Sequence, residues 1–207
     1  MELCNEASSY IDAWKNKEVF LEQLNLNRKE LSKYPPHWRE FVNILLELKT
    51  KSILDVGCGV GAMSEVCLKE LPDIKYTGMD YSNDAIDIAK KEWPKHNWLV
   101  KDYKELTKEV VKEFDTIHAG AILDILPNGD EALDFLLGLQ IENVIIGRAK
   151  ITNKSSHYTT YRAYDKITTY AYYHNINTVK KLAENCGYAL SFLGTQNQCN
   201  LIFQKIQ

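Results

Sequence analysis

Three alternating glycines form the strongest chemical signal in this 207-residue chain. Gly57, Gly59 and Gly61 follow the apolar run 52–56, and a stretch of helical character follows them. Glycines between a strand and a helix let the backbone turn sharply and approach a ligand closely. Gly57, Gly59 and Ala62 also fit the dinucleotide pattern G-x-G-x-x-G/A. The loop therefore predicts a nucleoside site without choosing the nucleoside, and a purely structural turn is the alternative.

An acidic residue stands beside this loop. Asp55 lies two residues before Gly57, at the predicted carboxyl end of the strand. A carboxylate there would repel a pyrophosphate, whereas it would attract the ammonium and sulfonium groups of S-adenosylmethionine. The N-terminus of the following helix can receive the methionine carboxylate. We therefore expect S-adenosylmethionine as the cofactor, and an NAD-dependent oxidoreductase is the weaker alternative among enzymes.

Two further acids follow predicted strands. Asp80 comes after the run 75–79, where a carboxylate can accept hydrogen bonds from both ribose hydroxyls. Asp102 and Tyr103 come after the run 97–101, where an acid can accept the exocyclic amine of adenine and a ring can cover the base. Helix caps and turns also favour acidic residues at such places, so each of these signals is weaker than the glycine loop.

Strands and helices alternate along the part of the chain that carries these residues. Apolar runs predict five strands, near 52–56, 75–79, 97–101, 114–119 and 143–147. Helical stretches between them indicate an α/β fold with a doubly wound, mostly parallel sheet. Two final strands, near 188–194 and 199–206, are joined by too few residues for a parallel return, so they must form an antiparallel hairpin. We expect a helical segment over residues 1–50 and one compact domain over residues 51–207.

Taken together, these motifs resemble the class I S-adenosylmethionine-dependent methyltransferases. The stretch 53–61 is similar to that family's first motif, 76–82 to its second, and 114–123 to its fourth strand, whose end faces the methyl group of the cofactor. The resemblance implies a Rossmann-like sheet of seven strands with a reversed last strand. It also implies a cofactor site formed by Asp55, Gly57, Cys58, Gly59, Gly61, Asp80, Tyr81, Asp102, Tyr103 and Ala119.

A Tyr-rich insertion near 151–175 is the main candidate for the acceptor site. It is longer than most connections and holds six of the twelve tyrosines. Tyrosine offers an apolar face and a hydroxyl, which suits a small polar organic acceptor. We expect this insertion and the N-terminal helices to cover the site, with Arg148, Tyr161, Arg162 and Tyr172 binding the acceptor. A strand pair that packs its rings against the domain is the alternative.

The expected activity is transfer of a methyl group to an oxygen or nitrogen atom of a small molecule. A hydroxyl acceptor would benefit from a general base. His118, at the end of the fourth predicted strand, is the first candidate for this catalytic role, and His174 is the second. A non-catalytic module that keeps the adenosyl pocket to bind a partner is the alternative outside the enzymes.

Composition excludes several other classes of function. The formal net charge is −3 and only four of the 25 basic residues are Arg, so we expect no nucleic-acid partner. No apolar run reaches the length of a membrane span and the first residues lack a secretory signal. The five cysteines form no Cys-x-x-Cys pair, which favours the reducing cytoplasm and argues against a metal site. The sequence sets no expectation for the oligomeric state.

Overall fold

A mixed β-sheet forms the centre of the protein. The computed structural model describes residues 12–195 and 198–206, and within them nine strands join into this sheet. They are β1 (Ser52–Val56), β2 (Lys75–Asp80), β3 (Asn97–Val100), β4 (Thr116–Gly120), β5 (Asn143–Thr152), β6 (His157–Ala163), β7 (Ile167–Asn175), β8 (Tyr188–Thr195) and β9 (Gln198–Lys205). Seven of them run in the order β3-β2-β1-β4-β5-β9-β8, with parallel pairs up to β5. Because β9 is antiparallel to both β5 and β8, the predicted sheet with a reversed last strand is confirmed.

The Tyr-rich insertion adds the other two strands. β6 and β7 form an antiparallel hairpin, and the end of β7 pairs in parallel with Lys150–Thr152. This pairing requires β5 to be ten residues long, whereas the sequence predicts a strand only over 143–147. The insertion is therefore a strand pair at one side of the sheet.

Helices pack on both faces of the sheet. They are α1 (Lys17–Glu30), α2 (Pro36–Glu47), α3 (Ala62–Glu70), α4 (Asn83–Glu92), α5 (Lys108–Val111), α6 (Gly129–Gly138) and α7 (Ile176–Cys186). Within the described ranges, none of these helices combines the length and the apolar character that crossing a membrane requires. Residues 1–11 of the expected N-terminal helical segment lie outside the described part of the chain.

The two faces of the sheet carry different side chains because direction alternates along each strand. Ile53 of β1 packs with Phe41 of α2 and Cys67 of α3. Leu54 and its neighbours instead join a larger cluster that includes side chains of α6 and α7. Asp55 lies two residues after Ile53, so it faces the same side as α2 and α3.

The hairpin and the N-terminal region are fastened to each other. The Trp14 Nε1–H donates to the Thr169 Oγ1 at 2.8 Å. The Lys166 ammonium lies 3.2 Å from the carboxylates of both Glu18 and Glu22. Because these contacts join β7 and the turn before it to Trp14 and to α1, the two segments form one cover at the carboxyl ends of the strands.

Gly61 makes room for a tryptophan that supports the loop after β1. Its backbone lies in the left-handed region, with φ +80°, and a Cβ atom there would lie 2.3 Å from the Trp98 ring. The Trp98 indole N–H donates to the Trp93 carbonyl at 3.2 Å, and the Trp93 indole N–H donates to the Val60 carbonyl at 2.9 Å. Trp98 therefore packs against the loop at Gly61, and Trp93 is hydrogen-bonded to it at Val60.

Gly61→Ala should destabilise the protein by about 2–4 kcal/mol, because left-handed strain and overpacking add together. Gly138→Ala is the matched control. Gly138 is in α6, it has no neighbouring atom within 4 Å of the added Cβ, and alanine favours a helix. Urea unfolding followed by circular dichroism measures both. Equal stability of the two variants would contradict this role of Gly61.

Candidate active site

The loop after β1 is fixed to the neighbouring strand by its backbone. The Gly57 and Cys58 N–H groups both donate to the Met79 carbonyl, at 2.7 and 3.0 Å. Gly57 has φ +73°, and a Cβ atom on it would lie 2.9 Å from the Ile122 side chain. Glycine is therefore needed at this position, both for the turn and for the close approach of the chain that follows β4.

Two cavities open beside this loop, and Gly57 lines both. The larger cavity has a volume of about 320 Å³ and lies between the sheet and the helices α1 and α2. The smaller cavity, of about 50 Å³, is lined by Trp14, Tyr81, Asp102, Tyr103 and Ile122, among others. We call them the acceptor-side cavity and the adenosyl-side cavity. A ligand that passes Gly57 would reach from one cavity to the other.

Asp55 joins three strands at the floor of the acceptor-side cavity. Its Cα atom pairs with that of His118 on β4, and the His118 Nδ1 lies 2.7 Å from one Asp55 carboxylate oxygen. The other oxygen accepts the Tyr76 hydroxyl of β2 at 2.5 Å. Burial and the nearby Asp55 raise the pKa of the Tyr76 phenol, so it stays a donor. Both Asp55 oxygens are therefore hydrogen-bonded within the protein while the residue lines the acceptor-side cavity, and its expected attraction for the cofactor stays a prediction.

The His118 ring is held in place by its surroundings. Its centroid lies 4.6 Å from that of the Phe41 ring on α2. Cβ atoms on Gly120 and Gly147 would each lie 3.1 Å from the His118 Nε2, so the ring rests against two glycines. With Nδ1 committed to Asp55, the Nε2 is the nitrogen left for chemistry, and His118 lines the acceptor-side cavity.

Asp80 fastens the loop from the side of β2. One carboxylate oxygen accepts the Gly59 N–H and the other accepts the Ser82 N–H, both at 2.9 Å. Burial raises the pKa of Asp80 to about 6, although these hydrogen bonds act in the opposite direction. Asp80 lines neither cavity, and its expected contact with ribose stays a prediction.

The other acid expected at the cofactor does line the adenosyl-side cavity. Asp102 accepts the Lys104 N–H at 2.9 Å, so one oxygen caps the short turn that contains Tyr103. Tyr103 is buried, and the Lys15 ammonium lies 5.3 Å from the centroid of the Tyr81 ring. All three side chains line the adenosyl-side cavity, and their contact with a cofactor stays a prediction.

The remaining candidates for cofactor binding do not line the adenosyl-side cavity. Cys58 lines the acceptor-side cavity, where burial raises the pKa of its thiol. Gly59 lies beneath the Gln23 amide, because a Cβ atom there would lie 2.7 Å from the Gln23 Oε1. Gly61 faces Trp98, and Ala119 is fully buried in the main apolar cluster, so the expected contact of these two with the cofactor stays a prediction.

Three of the four residues expected to bind the acceptor lie outside the acceptor-side cavity. Tyr161 is 41% exposed, and the Arg162 guanidinium donates to the Asp165 carbonyl. Tyr172 is buried and its ring makes an edge contact with His174. None of these three side chains lines the acceptor-side cavity, so the cavity gives no support to these three expectations. Arg148 does line the cavity.

His174 is also misplaced by the sequence argument. Its side chain is fully buried and its Nδ1 lies 2.7 Å from an Asp130 carboxylate oxygen. Hydrogen bonds from His174, Ser156 and Tyr172 lower the pKa of Asp130 despite its burial. This pair attaches β7 to α6 and lines neither cavity, which removes His174 as a catalytic candidate.

Sequence reasoning missed several polar residues of the acceptor-side cavity. Asn27 and Glu30 lie on the same side of α1 as Gln23, and this helical spacing is the signal that could have found them. Asn200 of β9 was also missed, and it lines the cavity together with Tyr164 of the insertion. No sequence signal links them, because the fold alone brings three distant segments together.

Comparisons with known proteins agree with this geometry. The family model of the methyltransferase domain matches residues 54–139, which include the end of β1, the glycine loop, Asp80 and His118. Over residues 54–139 the chain is therefore similar to methyltransferase domains. The relationship expected from the sequence motifs is thereby confirmed.

Curated relatives resemble this methyltransferase domain over part of their length. Trans-aconitate 2-methyltransferase of Rhodopseudomonas palustris is 31% identical over 88 residues, which are 42% of this chain and 34% of that protein. Ubiquinone biosynthesis O-methyltransferase of Coxiella burnetii is 33% identical over 93 residues, 43% of this chain and 38% of that protein. The match thus spans only about a third of the length of these relatives.

Solved structures share the fold at low sequence identity. Human N-acetylserotonin methyltransferase in complex with SAM has a TM-score of 0.70 at 13% identity, over 96% of this chain and 59% of that one. Streptomyces venezuelae DesVI has a TM-score of 0.65 at 14% identity, over 92% of this chain and 99% of that one. The Rossmann-like methyltransferase fold therefore extends through most of the chain, including parts outside residues 54–139.

Proposed function

We propose that this protein is an S-adenosylmethionine-dependent methyltransferase that acts on a small molecule. The observation that carries the proposal is the position of Gly57, which lines two cavities of different character. One is aromatic and acidic, as a nucleoside site requires, and the other is larger and contains a histidine held by a carboxylate. The relatives named above, one of them an O-methyltransferase by name, support the same chemistry.

The residues of the adenosyl-side cavity fit the cofactor by type. Tyr81 and Tyr103 offer aromatic surface for a base, and Asp102 keeps a carboxylate oxygen for an amine. The cavity has room for only a few water molecules, so side chains at its rim, such as Trp14, must shift when a nucleoside enters. The helix that starts after Gly61 directs its free N–H groups toward the loop, where a carboxylate would be stabilised.

The acceptor-side cavity suits a small organic molecule. Its volume lies at the lower end of the range for ligand pockets. Bound S-adenosylmethionine would supply a methyl group on a good leaving group, a sulfonium. The main task of the protein is then to hold the acceptor in line, which can lower a barrier by roughly 7–11 kcal/mol.

Asp55 and His118 supply general-base chemistry for a hydroxyl or amine acceptor. The Asp55 carboxylate accepts the Nδ1–H, which leaves the Nε2 lone pair to take the acceptor's proton. Tyr76 holds the second oxygen of Asp55 and so restricts the rotation of that carboxylate. Each member of this series lies on a different strand, and sheet register fixes their separation.

Calorimetric titration with S-adenosylhomocysteine should show binding at one site, and NAD titrated in parallel should show none. Ligand at about 100 times its dissociation constant should also add about 2.7 kcal/mol to the stability. Binding of NAD in place of S-adenosylhomocysteine would overturn the proposal. Binding of S-adenosylhomocysteine without turnover of any hydroxyl or amine acceptor would favour a non-catalytic adenosyl-binding module.

His118→Gln should lower kcat by about 10²–10⁴, because it removes the base from the acceptor-side cavity. Its affinity for S-adenosylhomocysteine should stay within twofold of the parent value. His157→Gln is the control, since His157 lies on the exposed face of β6. Release of S-adenosylhomocysteine during turnover measures the rate. A His118→Gln enzyme as fast as the control would remove His118 from the reaction.

A further inference from the structure

Arg148 is the only Lys or Arg side chain that lines the acceptor-side cavity within residues 12–195 and 198–206. His37 also lines it, but burial and the nearby Arg148 lower the pKa of His37 to about 4, so this imidazole is neutral at pH 7. Asp55 has its two oxygens occupied by His118 and Tyr76. The positive charge of this cavity therefore comes from one guanidinium.

That guanidinium has no carboxylate within 4 Å in the described part of the chain. Glu30 lines the same cavity, and its carboxylate accepts the Asn27 amide at 3.1 Å instead of forming an ion pair with Arg148. In contrast, Arg28 makes two hydrogen bonds to Glu92. Because a guanidinium matches the geometry of an anionic oxygen group, Arg148 has the capacity to bind one.

The backbone holds Arg148 at this place under strain. Its φ is +62°, and the pairing of β5 with β9 shifts register between Ile146 and Ala149. Bulges of this kind redirect a side chain and are frequent next to active sites. A left-handed backbone conformation at a residue other than glycine costs free energy, and strain of this kind clusters at functional sites.

Arg148 also stands next to the proposed base. It directly follows Gly147, and a Cβ atom on Gly147 would lie 3.1 Å from the His118 Nε2. Arg148 and His118 line the same cavity of about 320 Å³, so one small molecule can contact both side chains.

We propose that the acceptor carries an anionic oxygen group, a carboxylate or a phosphate, which Arg148 binds while His118 faces the atom to be methylated. This inference rests on the proposed function and specifies its substrate class. A neutral alcohol or amine of the same size would leave the guanidinium without a partner and bind more weakly.

The test uses the complex with S-adenosylhomocysteine and matched probes. The probes are 2-, 3- and 4-hydroxybenzoate, the corresponding hydroxybenzamides and phenyl phosphate, titrated calorimetrically at millimolar concentration. At least one anion should bind at least tenfold more tightly than the neutral amides. A preference for the benzoates identifies a carboxylate, and a preference for phenyl phosphate identifies a phosphate.

Arg148→Met should remove this preference for anions, and Arg148→Lys should keep part of it. Arg162→Met is the control, because Arg162 carries the same charge on the hairpin outside the cavity. With any benzoate that is turned over, the loss should appear in KM more than in kcat. Unchanged binding of S-adenosylhomocysteine shows that each variant is folded and that the cofactor site is intact.

Two results would overturn the inference while leaving the proposed function standing. One is binding of S-adenosylhomocysteine with no binding of any anion. The other is an anion affinity that Arg148→Met and Arg162→Met change equally. If the parent protein binds no S-adenosylhomocysteine, the proposed function itself fails.

Discussion

The buried carboxylate of Asp55 is the interaction on which the site depends. It is 3% exposed, and such a charge is tolerated only when its oxygens are hydrogen-bonded. Tyr76 and His118 provide these bonds from the strands on either side, so three strands meet at one acid. Losing either partner would leave a buried acceptor unsatisfied, which costs roughly 1–3 kcal/mol or more for a charged group. The hydrogen bonds of Asp55 therefore stabilise the carboxyl ends of these three strands and also orient the proposed base.

The other parts of the site are arranged around this acid. The glycine loop starts two residues after Asp55 and separates the adenosyl-side cavity from the acceptor-side cavity. α1 and α2 close the acceptor-side cavity with polar side chains. The hairpin β6–β7 contacts Trp14, which precedes α1, and holds α1 through Lys166. The bulge in β5 adds the positive charge of Arg148 one residue beyond the glycine that supports His118. A common fold therefore acquires a particular acceptor site through its cover and one distorted strand.

Local patterns in the sequence predict the alternating strands, the reversed last strand and the glycine loop, because periodicity and glycine spacing are local properties. They do not predict helix α6, or the length of β5, which depends on its pairing with β7. The charge of Asp55 is visible in the sequence, but its partners lie 21 and 63 residues away and change its role. Tyrosine content alone also does not show which rings line the acceptor-side cavity, and Tyr164 lines it whereas Tyr161 and Tyr172 do not.

The central claim is that Asp55 keeps the proton on the Nδ1 of His118 and leaves the Nε2 bare toward the acceptor. Long-range ¹H–¹⁵N correlation spectra of labelled protein at neutral pH distinguish the two tautomers of a histidine ring, and Asp55→Asn and His118→Gln assign the signals. We predict the Nδ1–H tautomer for His118, with a shift of its Nδ1 resonance in Asp55→Asn. A proton on the Nε2 in the parent protein, or a spectrum of His118 that is unchanged in Asp55→Asn, would contradict the account.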